Sequence, residues 1–366
     1  MDVGVGKRSR IRATRSNHVA VLALVFVLGC SHGYGWAEPV AAGDVPTPVR
    51  TMAAAQPAGN GSRLVGVEQG PGRILDLMVH SESMGRSVTV EVLPAPDGAR
   101  PAPTLYLLNG VDGGSGTGGW SAGSNWFTKT DAAEFFADKQ VNVVMPVGGG
   151  ASFYTDWRAD DPRLGRQRWT TFLTEELPPI IDAALRTTGV NAVAGLSMAA
   201  AAVFQLAIEA PEKFRAVASY SGCVRTSDPS GQALVDAVVL GHQGNPHNMW
   251  GPPTDPLWAA NDPYLRAEEL RGTAIYVATG NGRPGPLDTW DGPGIHRNPV
   301  KLADQLVIGG VLDAVANLCT WQLRERLREL NIPATFDFRP SGTHSWGYWE
   351  QDLHNSWPLL EAAITE

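Results

Sequence analysis

The stretch Gly195-Leu196-Ser197-Met198-Ala199 carries the clearest chemical signal in the chain. An apolar run, Asn191-Ala192-Val193-Ala194, precedes it, and an alanine-rich run, Met198 to Ala207, follows. Strand, sharp turn holding a serine, then helix is the order of a nucleophile elbow. Small residues are needed because the turn is strained and a helix packs close behind it. The serine is then lifted to the positive end of a helix, where a developing oxyanion is stabilised. The fifth position is Ala199, where the usual signature has glycine. Taken alone, Ser197 also reads as an N-cap serine opening an ordinary helix.

A serine nucleophile needs a base, and the base needs an acid to orient it. In α/β-hydrolases the chain order is serine, acid, histidine. Of the eight histidines, only His344 and His354 follow the start of the last expected strand, Ala334 to Phe338. His344 lies in the loop Ser341-Gly342-Thr343-His344-Ser345-Trp346 directly after that strand, the place of a catalytic base. His354 falls inside the closing helix and reads as structural. Asp304 and Asp313 are the main candidates for the acid, with Asp288 and Asp291 in a loop; residue type and spacing alone do not choose among them. The oxyanion donors should be the amide after the nucleophile, Met198, and one from the loop after an early strand. Val111, in Leu108-Asn109-Gly110-Val111, fits that second role, with Gly110 letting the backbone turn inward.

These residues need a scaffold. Ile74–Val79 and Ser87–Val92 read as two strands joined by a turn at Ser83-Met84-Gly85. Thr104–Leu108 and Val141–Pro146 are continuous apolar runs of the buried, parallel type. Ala216–Tyr220 and Ala274–Ala278 are further strands. Helical spacing marks Trp169–Arg186, Val300–Leu330 and Trp346–Ala363, with a short helix over Asp131–Asp138. Strands alternating with helices predict an α/β-hydrolase fold: a mostly parallel central sheet, helices on both faces, and a cap insertion at about 224–271. The folded domain is expected over 63–366, after a flexible Ala/Pro/Gly spacer at 38–62.

Composition narrows the function. The chain has 366 residues and a formal charge of −8, which argues against nucleic acid as a partner. Lys7, Arg8, Arg10, Arg12 and Arg15 precede the apolar run Val19–Leu28, which is too short for a comfortable membrane span and reads as a signal peptide over 1–37, cleaved after Ala37. Val27-Leu28-Gly29-Cys30 offers a rival, a lipoprotein box with Cys30 lipidated. Either way export is expected. The two cysteines outside that region, Cys223 and Cys319, are expected to pair. Gly114-Ser115-Gly116-Thr117-Gly118-Gly119 contains G-x-G-x-x-G after a strand, but no helix opens behind it, so no dinucleotide cofactor is expected. No metal-ligand spacing is present. Among 12 tryptophans, Trp120, Trp250 and Trp258 are expected around an apolar cleft. Trp346 stands two residues from His344.

Longer stretches carry a resemblance. Leu77-Met78-Val79-His80-Ser81 with Ser83-Met84-Gly85-Arg86, Val144–Gly149, Ser152–Trp157, Thr171–Pro178, the elbow, Met249-Trp250-Gly251-Pro252, Gly280-Asn281-Gly282 and Gly342–Trp349 run in order over about 72–358. Together they resemble the antigen 85 family of mycolyltransferases, and Cys223 with Asn317-Leu318-Cys319-Thr320 resembles its corynebacterial-type branch. The resemblance implies a secreted, cell-envelope acyltransferase that moves a mycoloyl group from trehalose monomycolate to trehalose monomycolate or arabinogalactan. It implies no cofactor and a monomer at the periphery of the envelope. A secreted carboxylesterase is the alternative. Ser197 takes the nucleophile position, His344 the base, Val111 and Met198 the oxyanion positions, and Trp346 a substrate-contacting tryptophan. Leu312-Asp313 falls where the family has Leu-Glu, which makes Asp313 the acid, one methylene shorter. Asn109-Gly110-Val111-Asp112 replaces the family's Asp-Gly-Leu-Arg loop, so Asn109 and Asp112 take its substrate-binding positions, with an acid in place of a base.

Overall fold

The computed structural model describes residues 57–115 and 123–365, with Met1. The expected signal peptide, Cys30, the start of the spacer, Gly116–Gly119 and Trp120 lie outside them. Nine strands form one sheet: β1 (Arg63–Gln69), β2 (Leu75–Ser81), β3 (Arg86–Leu93), β4 (Thr104–Leu108), β5 (Asn142–Val147), β6 (Asn191–Leu196), β7 (Phe214–Tyr220), β8 (Ala274–Thr279) and β9 (Thr335–Phe338). Their order is β1-β2-β3-β5-β4-β6-β7-β8-β9. The pairs among β1, β2, β3 and β5 are antiparallel, and every pair from β5 through β4 to β9 is parallel. The α/β-hydrolase architecture read from the sequence is the one observed.

The central strands are buried on both faces, which is why β4 and β6 read as unbroken apolar runs rather than alternating ones. The period of two still sorts their side chains. Tyr106 and Leu108 join one core layer, and Leu105 and Leu107 join the other. The first layer takes Ile180 and Ile181 of α1 (Leu177–Leu185), Phe204 of α2 (Ala199–Glu209), Val235 and Val239 of α3 (Pro229–Gly241), and Leu323 and Leu327 of α4 (Gly310–Glu329). The second is closed by Leu353, Trp357 and Leu360 of α5 (Trp346–Thr365) with Trp126 and Phe136.

Three expectations need correction. The domain begins before residue 63. Ala58 is buried in the first core layer, and Asn60 Nδ2 donates to Glu176 Oε1 at 2.6 Å. Glu176 is wholly buried and also takes Ser81 Oγ at 2.5 Å and the Ser83 amide at 2.9 Å. A buried carboxylate requires such donors, and the end of the Ala/Pro/Gly tract supplies one. β1 itself, a half-exposed edge strand, carries no alternating pattern to betray it. Between β7 and β8 lie α3 and three short helical segments, Pro246–Trp250, Pro256–Ala260 and Ala267–Leu270. There Trp250 and Trp258 are not open cleft walls: both are buried in the core, edge to face at 5.1 Å. Their indole N–H groups go to Thr155 Oγ1 and Gly251 O. The helix expected over Asp131–Asp138 shortens to Ala132–Phe135.

Candidate active site

The elbow is built by small residues. Ser197 has φ +55°, a left-handed conformation that costs a non-glycine residue energy and recurs where geometry serves function. Its amide donates to Tyr220 O at 2.8 Å, which ties the turn to β7. A Cβ on Gly195 would lie 2.8 Å from Ala199 Cβ and 2.9 Å from Val203 Cγ1, so only glycine admits α2 this close to β6. That contact also explains the fifth motif position: Ala199 is tolerated because its methyl faces the bare Gly195.

His344 comes from the loop after the edge strand β9, three strands from β6. His344 Nε2 lies 2.8 Å from Ser197 Oγ, and its Nδ1 lies 3.1 Å from Asp313 Oδ1. The carboxylate accepts at Nδ1, so the proton sits there and Nε2 is left to accept from the serine hydroxyl. The ring is fixed by Trp349, edge to face at 4.8 Å. The His344 amide donates to Gly309 O at 3.1 Å. Asp313 is wholly buried at the start of α4, and its Oδ2 accepts the Gly280 amide at 2.8 Å. Of the four aspartates open from the residues alone, Asp313 is the one that meets the histidine. Asp304 ends the preceding helix, Pro299–Asp304, and Asp291 pairs with Arg297.

Asp288 has a different place, one that the sequence reading did not assign. Its carboxylate accepts from the Gly285 amide at 2.7 Å, Gln305 Nε2 at 2.7 Å, Thr343 Oγ1 at 2.5 Å and Tyr348 OH at 2.9 Å. It thereby clamps the residue before His344 to the helix that leads into Asp313. Its four donors lie up to 60 positions away, so no local motif announces the cluster.

The loop after β4 passes beside the serine. A Cβ on Gly110 would stand 2.8 Å from Leu196 Cδ1 and 3.6 Å from Ser197 Cβ. Val111 is half-buried there, its carbonyl held by the Ala151 amide at 2.9 Å, and Met198 opens α2 on the other side. Asn109 is wholly buried and donates to Pro146 O at 3.3 Å. Asp112 is buried too, its Oδ1 accepting the Gly114 amide at 3.0 Å. Both therefore shape the loop from within in this state. Trp346 packs edge to face on Trp126 and Trp349, at 5.6 and 5.2 Å. Cys223 and Cys319 form the expected disulfide, with 5.0 Å between Cα atoms, which fastens the chain after β7 to the helix bearing Asp313. His354 stacks on Phe135 and meets Asp131 Oδ1 at 2.8 Å, a structural place.

Fold and site together define an esterase-type α/β-hydrolase built around a serine. A family model described as putative esterase matches residues 81–360. The chain is 34% identical over 322 residues to the diacylglycerol acyltransferase/mycolyltransferase Ag85A of Mycobacterium tuberculosis, covering 83% of this chain and 86% of that one. It is 33% identical over 305 residues to Ag85B of Mycobacterium leprae, covering 79% and 83%. Among solved structures, Mycobacterium tuberculosis MPT51 (FbpC1) superposes with a TM-score of 0.62 at 26% identity, over 82% of this chain and 99% of the other. The chain belongs to the antigen 85 family of mycolyltransferases. An S-formylglutathione hydrolase from Agrobacterium tumefaciens, at TM-score 0.57 and 17% identity, shares the fold.

Proposed function

We propose that this protein is an acyltransferase that moves a mycoloyl group from trehalose monomycolate, through an acyl-Ser197 intermediate, to a second trehalose monomycolate or to arabinogalactan. The observation that carries the reading is the unbroken chain Ser197–His344–Asp313, at 2.8 and 3.1 Å, in a member of this family. Ser197 Oγ attacks the ester carbonyl as His344 Nε2 takes its proton. The carbonyl oxygen becomes an oxyanion between the Val111 and Met198 amides. The trehalose oxygen leaves with the proton from His344, and the acyl group stays on the serine. A sugar hydroxyl then attacks the acyl-enzyme, His344 takes that proton, and the serine regains it. Asp313 holds the imidazole tautomer and offsets its transient positive charge without taking the proton.

A lipid donor suits the surface beside the acid. Val307, Ile308, Val311, Leu312 and Leu318 are all exposed on or just before α4, an apolar stripe along the helix that carries Asp313. Trp346 is assigned the sugar or acyl contact. We further infer export through the N-terminal basic and apolar segment. The test is incubation of the mature protein with trehalose monomycolate, followed by mass spectrometry of lipids and protein. Trehalose dimycolate and a mycoloylated Ser197 peptide are expected. Free mycolic acid as the dominant product would establish hydrolysis instead.

A further inference from the structure

Behind the triad lies a second layer of buried charge. Arg339 follows β9 directly, and its amide donates to Thr279 O at 2.9 Å. Its guanidinium is nearly buried, over the ring of Tyr348 at 5.3 Å. Nη1 makes a hydrogen-bonded ion pair with Asp352 of α5, which is wholly buried. Nη2 lies 3.7 Å from Asp313 Oδ2 and is buried without a hydrogen bond among the described residues. The order is thus His344, Asp313, Arg339, Asp352, running from the imidazole into the core, with charges that alternate once the imidazole is protonated. Two buried acids with one cation between them make a costly arrangement.

We propose that Arg339 and Asp352 are positioning residues for acyl transfer: the guanidinium, anchored by Asp352, fixes the buried Asp313 carboxylate with Oδ1 toward His344, and Asp352 sets the net charge that the imidazole meets. This rests on the reading of Ser197, His344 and Asp313 as the triad. With both acids ionised, the three groups behind His344 sum to one negative charge, which is neutralised when the imidazole becomes cationic in the transition state. The groups facing Asp352 are Arg339, Asp313 and Asp337, with Tyr276 and Tyr220 also acting on it or on each other through charge. Burial pushes the Asp352 carboxyl up to about 7, Arg339 pulls it down, and Asp313 and Asp337 push it up.

Two variants move the local charge in opposite directions, and a merely structural role would not separate them. Asp352→Asn removes a negative charge and should shift the acidic limb of the kcat/KM profile to lower pH. Arg339→Gln removes a positive charge and should shift it to higher pH. Each displacement should be about half a pH unit or more. Arg339→Gln should also lower kcat by on the order of 10- to 100-fold with little change in KM, because it acts on the base and not on the substrate. Turnover of a soluble p-nitrophenyl ester by the mature protein supplies the readout, with circular dichroism confirming the fold. The double variant Arg339→Met/Asp352→Leu removes both buried charges together, which is often tolerated, and should show the same fall in kcat. Folded variants with wild-type kcat and unmoved limbs, limbs that move together, or failure of all three variants to fold would each overturn the proposal. Failure of the triad reading has a separate signature, a Ser197→Ala variant that still turns over.

Discussion

The two sides of the active site are built by different means. The nucleophile side is backbone and small side chains: Gly110, Gly195, Ala199 and the left-handed Ser197 let β4, β6 and α2 approach within contact distance. The base side is a network of buried polar groups. Asp313 meets His344 directly, Asp288 binds Thr343 beside it, and Arg339, paired with Asp352, lies 3.7 Å behind Asp313; these groups come from α4, the loop after β8, the end of β9 and α5. The first side works by excluding volume, and the second by satisfying charge. A change to the first should abolish chemistry or block packing. A change to the second should degrade chemistry in steps, as each partner is left with fewer donors or an uncompensated charge.

The largest effect belongs to the nucleophile. Ser197→Ala should lower turnover by on the order of 10⁴-fold or more, with folding intact. A lipophilic phosphonate should label Ser197 in the wild type and nothing in the variant; labelling of another serine would break the comparison at its root. On the base side, Asp313→Asn should cut kcat by roughly 10²- to 10⁴-fold, since the amide no longer enforces the tautomer. Asp313→Glu should retain substantial activity if α4 yields to the extra methylene. Asp304→Asn should be silent, and a crippled Asp304→Asn beside an intact Asp313→Asn would reverse the assignment.

What was legible in the sequence follows the same division. The elbow is five consecutive residues with a local steric reason for each, so Ser197 and its neighbours stood out at once. The parallel strands were legible for a similar reason, since burial on both faces leaves continuous apolar runs. His344 was found by its place after the last strand. Choosing Asp313 requires the family resemblance, because four aspartates share the right stretch of chain and only tertiary structure brings its carboxylate to within 3.1 Å of the imidazole. Arg339 and Asp352 carry no sequence signal, and Asp288 reads only as one of four candidate acids: most of their partners lie on other elements. The buried Trp250 and Trp258 misled because an aromatic in an insertion has the same signature whether it faces a cleft or the core.

The disulfide is the intermediate case, a covalent tie between the two sides. Cys223 and Cys319 are separated by 96 positions. In the chain-entropy account, closing a loop of that length is worth about 4–5 kcal/mol. Reduction, or Cys319→Ser, should lower the denaturation midpoint without removing the Ser197–His344 geometry at 25 °C. Chemical denaturation with and without reductant measures it. A fall in kcat larger than the fall in stability would show that the bridge positions α4 rather than merely securing it.

The smallest predicted effect lies away from the site, where like charges meet at the half-exposed edge of the sheet. Glu68, Asp76 and Glu91 stand in register across β1, β2 and β3, and like charges directly opposite on a sheet repel. Burial, then Asp76, pushes the Glu91 carboxyl up to about 7, while its hydrogen bond from Asn125 acts downward. Burial and Glu68 likewise raise Asp76. A carboxyl raised in the folded state binds its proton more tightly there than in the unfolded chain. Stability from this group is therefore highest below the unfolded value near 4.5, falls as pH rises toward about 7, and is level above it. The buried Asp352 contributes with the same sign. Glu91 is only half-buried, so after allowance for solvent screening the term is about 1–2 kcal/mol. Glu91→Gln should raise the melting temperature by roughly 2–4 °C at pH 8 and by little at pH 5, with activity unchanged. A stabilisation equal at both pH values would mean that the glutamine packs better, and that repulsion along the three strands is not what limits this edge of the sheet.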